Sequence, residues 1–148
     1  MYLQVITSYL LSHPIMTYLK CLENITDFES AKQILQSKNL VIKEYQTPDL
    51  YLVKYDKSKS DMQDEDVQKC RGIILSKKDN SIICSVPPKS RSNLDFIKNF
   101  TSNPSQYSVM DFPDGTMINV FTYEGITYIT TRSCLGAMCR WMSSSTFS

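Results

Sequence analysis

The sequence predicts an α+β chain, with helices first and a mostly antiparallel sheet after them. Three observations carry that expectation. Apolar residues fall at helical spacing through the first forty positions, and from residue 40 the pattern changes to short runs rich in β-branched and aromatic residues. The links between those runs are too short for the crossovers that parallel strands need. With 148 residues, 42% of them hydrophobic and 21% charged, the chain fits one domain with a real core and stands apart from disordered or collagenous compositions. Residues 1–40 are read as a helical N-terminal segment and residues 41–148 as the sheet-bearing remainder, without a linker to split them.

In the first segment Leu3, Ile6, Leu10 and Leu11 share one helical face, as do Ile15, Tyr18, Leu19 and Leu22. The stretch from Met1 to Leu11 has no basic start and no small-residue cleavage site, and it is too short to span a bilayer. It is read as a core-facing helix, so no membrane partner is expected. Thr26-Asp27-Phe28-Glu29 has capping-box spacing, Ala31, Ile34 and Leu35 continue the apolar face, and Ser37-Lys38-Asn39 stops the helix.

The run Leu40 to Tyr45 is a candidate strand, Thr47-Pro48-Asp49 a turn, and Leu50 to Tyr55 the partner strand of a hairpin. Residues 56–66 carry mixed charge without periodicity and are expected to form a solvated loop entering a short helix. Gly72 to Leu75 is a buried strand, turned back at Lys77-Lys78-Asp79-Asn80 into a strand over 81–86. Pro87-Pro88 breaks that strand. A short helix is expected over 93–100, with Leu94, Ile97 and Phe100 as its buried face. Strands at 106–111 and 116–123 follow, and Glu124-Gly125 turns the chain into a last strand over 127–131. Ala137 to Trp141 looks like the opening of another helix.

The net charge of +1 gives no overall electrostatic footprint for a polyanion, so such binding would need a local cluster of Lys and Arg. Cys21, Cys70, Cys84, Cys134 and Cys139 include no Cys-x-x-Cys pair, and the sole histidine, His13, is distant from them in sequence. They read as reduced cysteines of a cytoplasmic protein rather than as a zinc site. Lys89, Arg91 and Lys98, interleaved with Phe96 and Phe100, have the composition of a single-strand binding patch. The helical spacing of the apolar residues in that stretch favours a core role for the aromatics.

Four short motifs remain. Cys70-Arg71-Gly72 precedes a strand, and Pro87-Pro88-Lys89 ends one. Asp114-Gly115-Thr116 opens a strand, and Thr131-Arg132-Ser133 closes another. Each has a plain reading, as an exposed arginine or an Asp-Gly tight turn. Their order resembles that of the RNA ligases of the phage T4 type, which are covalent nucleotidyltransferases. The resemblance covers roughly residues 45–141. It implies a nucleotidyltransferase (ATP-grasp-like ligase) type of α+β fold, ATP with magnesium as cofactor, and RNA ends as the substrate class.

By that resemblance Arg71 and Lys89 correspond to an arginine and a lysine near the ATP phosphates. Asp114, Gly115 and Thr116 close and follow the Lys-x-Asp-Gly motif, and Arg132 is its later basic residue. The motif's lysine, which takes up AMP, has Phe112 in its place. Phenylalanine has no lone pair with which to attack phosphorus, so self-adenylylation is not expected at this position. Ser90-Arg91-Ser92 follows Lys89 where the family usually places an aromatic residue. Lys54, in Lys54-Tyr55-Asp56, has Lys-x-Asp spacing and is the alternative nucleophile, set against a plain reading as a solvated hairpin edge. The family's later glutamate and lysines have no counterpart after Glu124, so the chain reads as the N-terminal part of a longer ligase, incomplete at its C-terminus. The alternative is a non-catalytic nucleotide- or RNA-binding module of the same fold. Nothing in the pattern sets an oligomeric state.

Overall fold

Strand β2 (Leu50–Tyr55) and strand β3 (Arg71–Ser76) are buried along nearly their whole length, and the rest of the fold is arranged around them. The computed structural model describes residues 19–87, 89–90, 92–102 and 117–136, with residues 95 and 99–102 described by backbone alone. The expected strand at 106–111, the helix opening at 137–141, Phe112, Asp114, Gly115 and Thr116 lie outside the described residues, as do residues 1–18.

The architecture is α+β. Strands β1 (Leu40–Glu44), β2, β3 and β4 (Ile82–Cys84) form a four-stranded antiparallel sheet in the order β1-β2-β3-β4. Strands β5 (Ile118–Tyr123) and β6 (Ile126–Thr131) form a separate antiparallel pair, not further members of one sheet as expected. Glu124 and Gly125 sit at φ 50° and 78°, the two left-handed positions that a tight hairpin turn between twisted strands requires.

A side-chain period of two divides β2 between two cores. Tyr51, Val53 and Tyr55 face the helical side and pack with Ile73, Leu75 and with Ala31 and Leu35 of helix α1 (Phe28–Ser37). Leu50 and Leu52 face the other side with Ile74 and Cys84, where Phe121 and Tyr123 of the β5–β6 hairpin cover them. Full burial of each large aliphatic side chain stabilises the fold by about 1.5–3 kcal/mol.

Local signals differ from expectation in three places. The N-cap of α1 is Asp27, whose carboxylate accepts from the Ser30 N–H at 2.7 Å, so the capping interaction lies one residue beyond the expected Thr26–Glu29 pair. The 56–66 segment is not merely solvated. Ser60 is buried and its hydroxyl donates to the Asn39 carbonyl at 2.7 Å, while Lys38 and Asp64 form an ion pair. In helix α3 (Asn93–Ser102) Leu94 is 81% and Ile97 55% exposed, so the described part of that face is not core.

Helix α2 (Glu65–Lys69) brings a buried carboxylate to the helical side. Asp66 accepts from the backbone N–H groups of Lys20 at 3.0 Å and Cys21 at 2.7 Å, satisfying the open end of a short 3-10 turn at Lys20–Leu22. Among the described residues no helix is long and apolar enough to cross a membrane.

Candidate functional site

Arg71 opens β3 directly after α2 and lies opposite Lys54 of β2, where the register shifts by a bulge between Val53 and Lys54. The next residue, Gly72, is buried at φ 106°, a conformation that side-chain-bearing residues rarely adopt. A Cβ there would stand 2.7 Å from the Arg132 carbonyl oxygen and 2.8 Å from its Cα. The missing side chain therefore lets the end of β6 cross against the start of β3. Arg71-Gly72 and Arg132-Ser133 meet at that crossing.

The segment after β6 folds back on itself and is fastened to β1. The Thr131 N–H donates to the Cys134 carbonyl at 3.0 Å, and the Gly136 N–H donates to that of Ile129 at 2.7 Å. The Leu135 N–H donates to the Tyr45 hydroxyl at 3.0 Å. Lys43 Nζ donates to the Ser133 carbonyl at 2.7 Å, and Lys54 Nζ lies 3.5 Å from Ser133 Oγ. The Arg132 guanidinium carbon lies 4.7 Å from the centroid of the Tyr55 ring, a cation–π contact.

Lys43, Lys54, Arg71 and Arg132 thus converge at one end of the sheet, and among the described residues none of the four is ion-paired. Other lysines are paired: Lys20 with Glu65, Lys32 with Glu44, Lys38 with Asp64, Lys69 with Asp66, Lys77 with Glu44 and Asp49, and Lys78 with Glu124. The crowding registers on Lys54. Its pKa is lowered from the ordinary 10.5, first by partial burial and then by the charges of Lys43 and Arg132, against the pull of Asp56 and Cys134. Such a cluster is under electrostatic stress that a bound anion would relieve.

Of the residues expected at a site, Lys54, Arg71 and Arg132 come together. Lys54 is not on a hairpin edge, because β2 is paired on both sides and the lysine is half-buried. Lys89 is exposed. Its backbone N–H donates to the Gln68 carbonyl at 3.0 Å, which ties it to the helix leading into Arg71, while its Nζ lies 3.5 Å from the Ser90 carbonyl. Lys43, Ser133 and Tyr55 were not anticipated. Lys43 could have been: the hairpin register puts it opposite Leu52, on the same face as Lys54. The position of Ser133, 90 residues from Lys43, has no local signal.

Lys43 and Lys54 meet at Ser133, while Arg132 stands over Tyr55 and Arg71 lies opposite Lys54 in the strand register, a set of cations suited to an anion. Among the described residues no three His, Cys, Asp or Glu side chains stand together to hold a metal, so no magnesium ligand is assigned. No known family model matches the chain, and neither the curated proteins nor the solved structures contain a match.

Proposed function

We propose that the chain is an RNA ligase-like, ATP-dependent nucleotidyltransferase-type domain that binds nucleotide phosphates without forming a covalent AMP adduct at the position of Phe112. The observation that carries the proposal is the crossing of Arg132 over Gly72. It joins the Arg-Gly strand to the Thr-Arg-Ser segment, two motifs that are distant in sequence and that the ligase resemblance assigns to one nucleotide site. The cations gathered there lack carboxylate partners among the described residues, which favours a polyanionic ligand. In this reading Arg71 and Arg132 hold phosphate oxygens and Lys89 approaches from the end of α2. By the ligase resemblance Asp114, Gly115 and Thr116 belong to the same nucleotide site. Magnesium would accompany the triphosphate, whose oxygens and bound waters supply most of its ligands.

One observation favours a second reading. The lowered pKa of Lys54 raises the fraction of neutral amine, the form that attacks phosphorus. In that case the Lys54 nitrogen forms a bond to the α-phosphorus and sheds a proton, while the α–β phosphoanhydride bond breaks and pyrophosphate leaves. The missing glycine and following strand of the usual motif weigh against it, because Lys57 stands where the glycine belongs. Equilibrium titration with ATP tests the first reading. Saturable binding that weakens about tenfold or more in Arg71→Ala is expected, since charge-assisted hydrogen bonds are the strong ones. ATP binding that is absent, or unaltered by Arg71→Ala, would overturn it.

A further inference from the structure

The β5–β6 hairpin leaves one strand edge open. Tyr123 and Ile126 flank the tight turn and so form a hydrogen-bonded pair, as do Phe121 with Tyr128 and Asn119 with Thr130. The backbone groups of Ile118, Val120 and Thr122 therefore point away from β6, and those of Thr127, Ile129 and Thr131 point away from β5. The chain covers the β6 side itself: the Gly136 N–H donates to the Ile129 carbonyl at 2.7 Å, and the Thr131 N–H to that of Cys134 at 3.0 Å. Among the described residues nothing pairs with the β5 side. The outer edges of the four-stranded sheet carry the usual protections, Lys43 and Glu44 on β1 and a length of three residues in β4. Strand β5 has none of them: Ile118 to Tyr123 and Ile126 to Thr131 include no charged residue and no proline. Phe121 and Tyr123 face the core, so the alternate residues face away, and there Val120 and Ile129 stand opposite each other, 48% and 42% exposed.

We infer that β5 pairs with β5 of a second copy of this chain, antiparallel about a two-fold axis at Val120. In that register Val120 meets Val120 of the other copy and Ile118 meets Thr122, and the open N–H and C=O groups of all three positions are exchanged between the copies. The two hairpins become one four-stranded sheet. Its outer face carries Ile129, Val120 and their counterparts as one apolar stripe, each residue beside the next. A second copy fits this edge for two reasons. The same positions stay open on both strands, so the pairing is self-complementary and closes at two chains. Electrostatics do not oppose it, because both strands of the hairpin are uncharged, Glu124 at its turn is paired with Lys78, and each chain has a net charge of +1. A foreign strand would be offered the same hydrogen bonds but no side-chain charge by which to be chosen. The inference goes beyond the nucleotide reading and is independent of it, since it uses no residue of the cation cluster.

Sedimentation velocity of the full chain, from about 1 μM to about 1 mM, tests it. A single strand edge lies at the small end of interfaces, so a reversible, concentration-dependent approach to twice the mass of one chain is expected. Val120→Lys sets two ammonium groups beside each other at the axis, and Thr122→Pro removes an outward N–H without breaking a hydrogen bond of the hairpin. Both side chains are exposed, so the variants should keep the wild-type circular dichroism spectrum. Each should raise the dimer Kd about tenfold or more. Ile126→Lys replaces an exposed apolar side chain at the hairpin tip, off the edge, and should dimerise as the wild type does. A one-chain mass at every concentration would overturn the inference. Hydrogen exchange at the Ile118, Val120 and Thr122 amides would then separate an edge covered by other residues of the chain from one open to a foreign strand. A dimer that survives Val120→Lys and Thr122→Pro would also overturn it, as would one lost in Ile126→Lys alone. ATP binding and its response to Arg71→Ala report separately on the nucleotide reading.

Discussion

Gly72 and Arg132 touch through their backbones: the Arg132 carbonyl oxygen occupies space 2.7 Å from where a Cβ on Gly72 would stand. The contact binds the start of β3 to the end of β6 and so sets the distance between the two arginines. Because the φ of 106° also excludes ordinary side chains, Gly72→Ala introduces both a clash and a strained backbone. It is expected to destabilise the fold by about 1–3 kcal/mol in urea unfolding and to weaken phosphate binding in parallel. A neutral Gly72→Ala would show that the crossing is looser than described.

On the helical side, Tyr51 donates to Asn80 Oδ1 at 2.8 Å in a buried position, and Asn80 Nδ2 donates to the carbonyls of Ile25 at 3.0 Å and Asp27 at 3.1 Å. Tyr51→Phe leaves the Asn80 oxygen buried without a donor. A loss of about 1–3 kcal/mol is expected by chemical denaturation, without effect on phosphate binding at the Gly72–Arg132 crossing.

Asp66 makes stability depend on acid. Burial alone would raise its pKa, but the N–H groups of Cys21 and Lys20, the Cys21 thiol and the Lys69 ammonium outweigh it and hold the carboxyl below the ordinary 3.8. A group with a depressed folded pKa contributes stability above its unfolded value and loses it as pH falls through the folded value. Stability should therefore drop as pH falls below about 4, in the range where unfolded carboxyls titrate. In Asp66→Asn the drop should be shallower and the neutral-pH stability lower. Urea midpoints measured across that range check both, and an unchanged acid slope in the variant would count against the assignment.

Lys54 carries the opposite expectation for stability and for binding. Its charge is disfavoured by burial and by its cationic neighbours, so Lys54→Met should leave the unliganded protein as stable or slightly more so, by at most about 1 kcal/mol after solvent screening. The wild type should gain a few degrees in Tm with phosphorylated ligand present, and the variant should not. A large destabilisation by Lys54→Met would mark it as structural.

The strands were legible because their signals are local. Leu40 to Tyr45 and Leu50 to Tyr55 announced a hairpin, and the pair Leu40–Glu44 and Leu50–Tyr55 forms it. Glu124-Gly125 likewise marked the β5–β6 turn. What the residues could not disclose is which strand lies beside which. The placement of β2 inside the sheet, which takes Lys54 off an edge, depends on pairing with β3 across the 56–66 segment. The division into two sheets and the exposure of Leu94 and Ile97 are likewise set by distant partners rather than by local periodicity. Arg71 and Arg132 could be singled out as candidates, but their meeting rests on the close approach at Gly72, a tertiary fact. Lys43 belongs to no motif, and Ser133 was singled out only as part of Thr131-Arg132-Ser133; their contact spans 90 residues of sequence.

The central claim is that this chain holds nucleotide phosphates at the Gly72–Arg132 crossing without self-adenylylation. Incubation with radiolabelled ATP and magnesium, followed by a denaturing gel and by thermal melting of the same samples, tests it most directly. The account predicts no label on the denatured protein and a rise in Tm that saturates with ATP and is lost in Arg71→Ala. An adduct that survives denaturation would contradict it, and loss of that adduct in Lys54→Met would move the chemistry to Lys54. A Tm indifferent to ATP would contradict the nucleotide site itself.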